Sequence, residues 1–275
     1  MAFNSIIPDY PFILLEIIKS KEEAYAEKLM AATFLKNYIA DSYGAKAFLG
    51  LSPNLKQKLS LSLVELLSHD NDVIRQMIVS SLELAVVYEY PNLFGVINNK
   101  IMACLLSDVL LQVTGAVQFM KGLGDNHRQF CSENMYFSPE YIEPLLNVLH
   151  NEVSNCRICR WRQVFYFVFQ NIPVDVRSDT VSCMIQILIT CRKTPLFTPT
   201  SARLSEVFQK LLSEPYSCSN DFRLRGEIII EISHAAMSLA DQVLELVTSC
   251  LPAIGQIMFN CCIEFKEIIM GHKQT

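Results

Sequence analysis

The sequence predicts an all-α protein, and more specifically an α-solenoid of paired helices. Apolar residues recur every three or four positions through most of the 275 residues, and that spacing marks one face of an α-helix. Counted from Pro11 through Pro53 to Leu93, the pattern repeats about every forty residues, a period typical of HEAT and armadillo repeats. No glycine turn joins two alternating apolar runs, so no β-hairpin is predicted.

The first helix pair is predicted at the N-terminal end. Pro11 to Ser20 form a short apolar helix with proline in its first turn, where a backbone N–H would have no helical partner anyway. Lys21 to Tyr43 follow as a second helix, with Glu22 and Glu23 near the positive end of its dipole. Gly44 is expected to end this helix.

The second pair has explicit start and stop signals. Ser52 is predicted to be the N-cap of a helix that runs from Pro53 to Leu67. Asp70 or Asn71 is predicted to cap the next helix. That helix should end at Tyr90, because the proline that follows disfavours helical backbone at the residue before it.

A third pair and a loop complete the first half of the chain. The two helices of this pair are predicted at Leu93 to Leu106 and at Val109 to Met120. Residues 121–138 hold two glycines, many polar residues and few periodic apolar positions. We therefore predict a long loop between repeats at 121–138.

Residues 139–275 are predicted to continue as further HEAT-like helical repeats. The stretch from Cys156 to Gln170 is the most aromatic part of the chain, and we predict a helix there because predicted helices flank it. Thr194 to Thr200 holds two prolines and is predicted to be a linker. Pro252 is predicted to break the last helix.

The helices that follow Lys21 and Asn71 are each predicted to bury one apolar stripe. The first stripe comprises Ala31, Leu35 and Tyr38, widened by Phe34 and Ile39. The second comprises Ile74, Met77, Ser81, Leu84, Ala85 and Tyr88. Both stripes contain small residues, so we expect these helices to pack closely on other helices rather than on a sheet.

Composition and charge argue against several classes of protein. The chain is 51% hydrophobic and 19% charged, which is sufficient for a sizeable core. Its net charge is -5, which argues against a dedicated nucleic-acid binder, because such proteins meet phosphates with lysine and arginine. The sequence contains no uninterrupted run of about twenty apolar residues, so no membrane span is predicted. No signal peptide is evident in the first residues, so we expect an intracellular protein.

We expect neither an enzyme nor a bound metal or cofactor. Cys156 and Cys159 form a CxxC, but a structural zinc site needs two more ligands at comparable spacing. The sequence has no GxSxG, no HExxH and no phosphate-binding loop. Three arginines around Trp161 make a small basic patch, which we interpret as a solvated helix face rather than a nucleic-acid site.

Two of the predicted helices carry a recognisable pattern. The segment Leu29–Asn37 reads LMAATFLKN, with paired alanines and then leucine, lysine and asparagine. One repeat later, a helix begins with Ile74 and Arg75 and closes with Tyr90 before a proline. This order and spacing resemble a helix pair near the N-terminus of the importin-β superfamily, the karyopherins that carry cargo through nuclear pores. We interpret residues 1–120 as importin N-terminal-like HEAT repeats.

Two features depart from the family pattern. Family members often have a tryptophan where this chain has Leu93 and Phe94, and the usual first helix is missing before Pro11. The resemblance implies a transport-receptor-like protein, or a fragment of one, that binds the small GTPase Ran in its GTP form and also protein cargo. It implies a place in the nucleus and cytoplasm. We expect a monomer with no nucleic-acid or membrane partner.

Three residues are the candidate partner-binding positions. Lys36, Asn37 and Arg75 match the family pattern although an apolar core does not require them. The resemblance implies that the second helices of the pairs line the binding face. The alternative is a HEAT or armadillo-type interaction scaffold that is unrelated to transport, since apolar stripes are common to every such array.

Overall fold

The structure is a computed structural model that describes residues 9–40, 48–127, 129–131, 139–145, 148, 174–192, 194–213 and 219–271. In these ranges the fold is all-α, as predicted, and contains no strand. The helices are α1 (Tyr10–Lys19), α2 (Tyr25–Ile39), α3 (Pro53–Leu66), α4 (Asp72–Glu89), α5 (Phe94–Leu105), α6 (Leu110–Asn126), α7 (Val174–Thr190), α8 (Phe197–Ser213), α9 (Ser219–Leu239) and α10 (Leu244–Gly271). Short 3-10 turns lie at Pro139–Tyr141 and Ala240–Val243.

The first six helices form three pairs stacked in two rows. The helices α1, α3 and α5 contact one another in that order and make the first row, while α2, α4 and α6 do the same and make the second row. Each first-row helix also packs on the second-row helix that follows it. This order of contacts is compatible with the predicted α-solenoid.

Both rows continue into the second half of the chain. In the second row, α6 packs on α7 and α7 on α9. In the first row, the Tyr141 hydroxyl donates to Asn98 of α5, and Arg203 of α8 lies 3.4 Å from the Glu143 carboxylate. The helix α10 then packs on α8. Residues 139–145 therefore join the first-row helices α5 and α8.

Two of the predicted N-caps are confirmed. The Ser52 hydroxyl accepts a hydrogen bond from the backbone N–H of Leu55 at 3.4 Å, and the Asn71 side chain accepts from Ile74 N–H at 3.1 Å. The predicted start of α2 is wrong, because the helix begins at Tyr25 rather than Lys21. Glu27 reaches back to the N–H of Ala24 at 3.1 Å and satisfies it at the helix start.

The predicted loop at 121–138 is wrong for its first six residues, because α6 continues to Asn126. Two glycines of α6 lie where neighbouring chain comes very close. A Cβ added at Gly115 would overlap the carbonyl oxygen of Leu67, and one added at Gly122 would overlap the carboxylate of Glu83. Glycine here permits close helix packing rather than ending the helix. Residues 132–138 lie outside the described residues.

The core face of α2 is largely as predicted, while that of α4 is rotated. Leu35 is fully buried and so is Ala32, whereas Phe34 is exposed. On α4, Met77 and Leu84 are only half-buried and Tyr88 is exposed. The fully buried apolar residues of α4 are Ile74, Ile78, Leu82, Ala85 and Val86. Apolar residues occupy both faces of α4, so spacing alone could not select the buried one.

Two predictions for the second half are wrong in detail. The helix α8 begins at Phe197, so Pro199 lies in its first turn and the linker is shorter than Thr194–Thr200. The helix α10 continues through Pro252, which removes one backbone hydrogen bond but does not end the helix. The prediction for Cys156–Gln170 falls outside the described residues. Among those described, no helix is long and apolar enough to cross a bilayer.

The rotated core face of α4 gives a test with a built-in control. Replacing the fully buried Leu82 with alanine should lower the free energy of unfolding by about 2–5 kcal/mol. Replacing the half-buried Leu84 should cost clearly less, because fewer of its contacts are lost. Urea denaturation of both variants measures the difference. Equal losses would mean that the core face of α4 is placed incorrectly.

The close approach at Gly115 predicts a penalty for one added methyl group. Gly115→Ala should destabilise the fold by on the order of 1–3 kcal/mol, because the new Cβ meets the rigid backbone of Leu67. Gly226→Ala in α9 is the matched control, since a Cβ there meets nothing within 4 Å. The control should stabilise the protein by about 0.5–1 kcal/mol. Opposite signs in thermal or urea unfolding would confirm the contrast.

Candidate protein-interaction surface

The second-row helices α2 and α4 expose several large apolar side chains. Met30 and Phe34 lie one helical turn apart on α2, and Val73 and Tyr88 lie on one side of α4. We call these four residues the α2–α4 face. Single exposed apolar side chains are ordinary, and these four are taken together because α2 and α4 pack on each other.

The packing of α4 determines which way this face is directed. The helix α4 packs on the first-row helices α3 and α5 and is flanked in its own row by α2 and α6. Its exposed side therefore lies away from the first row. In a stack of helix pairs this is the side that the second helices present to a partner.

Two of the predicted partner-binding residues are half-buried on α2. Asn37 lies three residues after Phe34 and seven after Met30, so it continues the exposed side of α2. Lys36 follows Phe34 by two residues and so lies on nearly the opposite side of α2, where its positive charge acts on the Glu83 carboxyl of α4. Asn37 therefore continues the exposed apolar line, whereas Lys36 lies toward α4.

The third predicted residue, Arg75, is placed inside the protein, which corrects its assignment as a partner-binding residue. Its side chain is 5% exposed. The guanidinium donates hydrogen bonds to Gln118 of α6 at 2.8 Å, to the carbonyl of His69 at 2.6 Å and to Asp72 at 2.6 Å. All three contacts lie within the chain, so Arg75 fixes the start of α4 against α6 and does not face a partner.

The aromatic residue of the pattern is also used for packing. The Tyr90 ring packs edge-on against Phe94 at 5.7 Å and against Phe130 at 5.3 Å between ring centroids. Leu35 is fully buried. Most positions that carry the resemblance therefore maintain contacts between helices.

A buried carboxyl group joins three consecutive second-row helices. Glu83 of α4 is 3% exposed and accepts a hydrogen bond from Asn126 of α6 at 3.0 Å. His127 lies 3.8 Å from the same carboxylate. The absence of a side chain at Gly122 leaves the space that the carboxyl group occupies. The positive charge of Lys36 on α2 also acts on this carboxyl, so groups of α2 and α6 both influence Glu83.

Burial dominates the ionisation of this group. Desolvation raises the pKa of Glu83, while the Asn126 hydrogen bond and the Lys36 charge partly lower it and Asp125 raises it further. Burial likewise lowers the pKa of His127. Burial therefore disfavours the charged form of both groups.

Polar contacts also join the later helices of the second row. Lys121 of α6 donates to Asp179 of α7 at 2.6 Å. The Ser182 hydroxyl of α7 donates to Glu231 of α9 at 3.0 Å. Each of these contacts links one second-row helix to the next, so they fix the lateral spacing of the row.

Within the described ranges, no cluster of three or more histidine, cysteine or acidic side chains could hold a metal ion. Burial raises the pKa of Cys131 to about 12 and that of Cys183 far above its ordinary value, so these thiols stay protonated. Cys156, Cys159 and Trp161 lie outside the described residues.

Sequence reasoning missed Met30 and Val73 and assigned Phe34 and Tyr88 to the core. A signal was available, because both helices carry more large apolar residues than a single buried stripe requires.

The comparisons with known proteins leave the family unassigned. No protein-family model matches the chain, and no match is found among curated protein sequences.

The environment of Glu83 predicts the sign of one pH effect. Because the folded-state pKa of Glu83 is raised, its contribution to stability is complete below its ordinary value of 4.5 and is lost as pH rises through the folded-state value. Glu83→Gln, which mimics the neutral form, should therefore be more stable than the unmodified protein at neutral pH. Urea denaturation across a pH series measures this difference.

The exposed Glu65, replaced by glutamine, is the control and should change stability little. If Glu83→Gln were instead less stable at neutral pH, the stabilising species would be the ionised carboxylate facing Lys36.

Proposed function

We propose that this chain is a nuclear transport receptor-like protein that binds the GTP form of Ran through the α2–α4 face, with protein cargo as a further partner class. The observation that carries the proposal is that exposed apolar residues occur on the two helices that resemble the importin-β pair. The proposal places the protein in both the nucleus and the cytoplasm.

The physical support comes from the composition of the surface. Met30, Phe34, Val73 and Tyr88 expose apolar area that a protein partner would remove from water. Asn37 lies among them and offers both a donor and an acceptor, which can orient a partner. The net charge of -5 favours a protein partner over a nucleic acid.

A second candidate function is an interaction scaffold that is unrelated to transport. The observation that favours it is the role of the pattern residues, since Leu35, Arg75 and Tyr90 all serve packing between helices. Any helical array needs such packing, so these residues support a shared architecture more than a shared partner.

Binding to Ran loaded with GTP or with GDP separates the two functions. A transport receptor-like protein should prefer the GTP form by about tenfold or more, which requires only ~1.4 kcal/mol of differential contact. Calorimetry or surface-immobilised Ran measures both affinities. Binding with no nucleotide preference, or no binding at all, would favour the scaffold.

Variants then locate the binding surface. Phe34→Asp should weaken binding to Ran by about tenfold or more, because it places a charge in the apolar contact. Ile13→Asp is the matched control, since Ile13 is a similarly exposed apolar residue on the first-row helix α1. Equal losses in both variants would show that binding does not use the α2–α4 face.

A further inference from the structure

The helix α10 carries a second apolar stripe, of which three residues are exposed. Leu246, Cys250 and Ile257 are buried on the side that packs against α8. Another side of α10 carries apolar residues that are alternately three and four positions apart in the sequence. This stripe, which we call the α10 seam, consists of Leu244, Val247, Leu251, Ile254 and Met258.

The α10 seam has the heptad pattern of a helix that pairs with another helix. Leu244, Leu251 and Met258 are seven residues apart and each is more than half exposed. Val247 and Ile254 occupy the intermediate positions and are half-buried. No acidic or basic residue occurs from position 246 to position 263. This spacing is the one that a knobs-into-holes contact with another helix requires.

A glycine on the same side of α10 supports a close contact. Gly255 is exposed, and a Cβ added there would meet nothing within 4 Å. Glycine in a helix interior is destabilising relative to alanine, so folding of the single chain does not explain it. Thr248, seven residues earlier, is also small and exposed. These two positions form notches beside the larger residues of the seam.

The α10 seam is complementary to itself. If two copies of α10 pair antiparallel about a two-fold axis at Leu251, Val247 of one copy faces Gly255 of the other, since both are four residues from the axis. Ile254 then faces Thr248, and Leu244 faces Met258. Each intermediate-sized apolar side chain thus meets a small residue, and the two-fold symmetry repeats the match on both sides.

The exposed apolar area of the seam corresponds to a small interface. The neighbouring α9 exposes Ile230 and Met237, and α10 additionally exposes Phe259. Without these, the three exposed seam residues Leu244, Leu251 and Met258 leave on the order of 300 Å² of apolar surface exposed per copy, which supports a small, concentration-dependent interface below the ~800 Å² per partner of a standard one.

We propose that the α10 seam is a homodimer interface in which α10 packs antiparallel on α10 of a second copy. The exposed residues of the seam are then removed from water in both copies. This assembly replaces the monomer expected from the sequence. It does not rest on Ran binding, because the α2–α4 face lies on helices at the other end of the stack.

Sedimentation equilibrium of the full chain over a micromolar concentration range tests the proposal. The expected result is reversible dimerisation, with a mass rising from 31.3 kDa to twice that value. Leu251→Asp should weaken the dimer by about a hundredfold or more, because it brings two carboxylates together at the axis. Ile13→Asp is the matched control, since Ile13 and Leu251 are both 53% exposed. The control should leave dimerisation unchanged.

Gly255→Leu distinguishes a specific dimer contact at the seam from non-specific apolar association. A Cβ at position 255 meets nothing within 4 Å in the single chain, so the variant should fold normally by circular dichroism. It fills the notch for Val247 of the second copy, so dimerisation should weaken by about tenfold or more. Stronger association in Gly255→Leu would indicate non-specific apolar contact and would overturn the proposal.

Three further outcomes would overturn it. These are a monomer throughout the concentration range, a dimer unaffected by Leu251→Asp, and a monomer that binds vesicles of phosphatidylcholine and phosphatidylserine through α10. The last outcome would assign the seam to a lipid surface instead of a second copy.

Discussion

The structure depends on how closely the second-row helices approach their neighbours. At Gly115 the backbone of α6 lies against Leu67 at the end of α3, and at Gly122 it lies against Glu83 of α4. Side chains at these positions would hold the helices apart. The close approach brings Gln118 within reach of Arg75 and Asn126 within reach of Glu83, so polar groups can be buried with partners between the helices.

This arrangement separates residues that build the array from residues that contact a partner. Arg75 is charged and part of a recognisable pattern, but its guanidinium donates its hydrogen bonds to groups within the chain. Phe34 is apolar and lies within a predicted core stripe, yet it faces solvent. In a stack of helix pairs the first and second rows share the apolar interior, so the outer side of a second-row helix is free for recognition even where it is apolar.

The sequence was sufficient to predict the helices and their pairing, because caps such as Ser52 and Asn71 act locally. It was insufficient where a long-range contact decides the outcome. From the sequence alone Gly122 is expected to end the helix, because its contact with Glu83 is not visible there. Helix α4 is apolar on two sides, so the helices packed against it decide that Leu82 rather than Leu84 lies in the core. Position within a pattern likewise could not place Arg75 inside the protein, because its partner Gln118 lies 43 residues away.

The polar contacts along the second row also have a consequence for how this chain folds. Arg75 to Gln118, Glu83 to Asn126, Lys121 to Asp179 and Ser182 to Glu231 span 43, 43, 58 and 49 residues. Each joins a helix only to the next one in its row. Because each contact is confined to neighbouring helices, folding can start in any neighbouring set of helices. By the same logic the ends of the stack can unravel while its middle stays folded, so unfolding need not be a single all-or-none step.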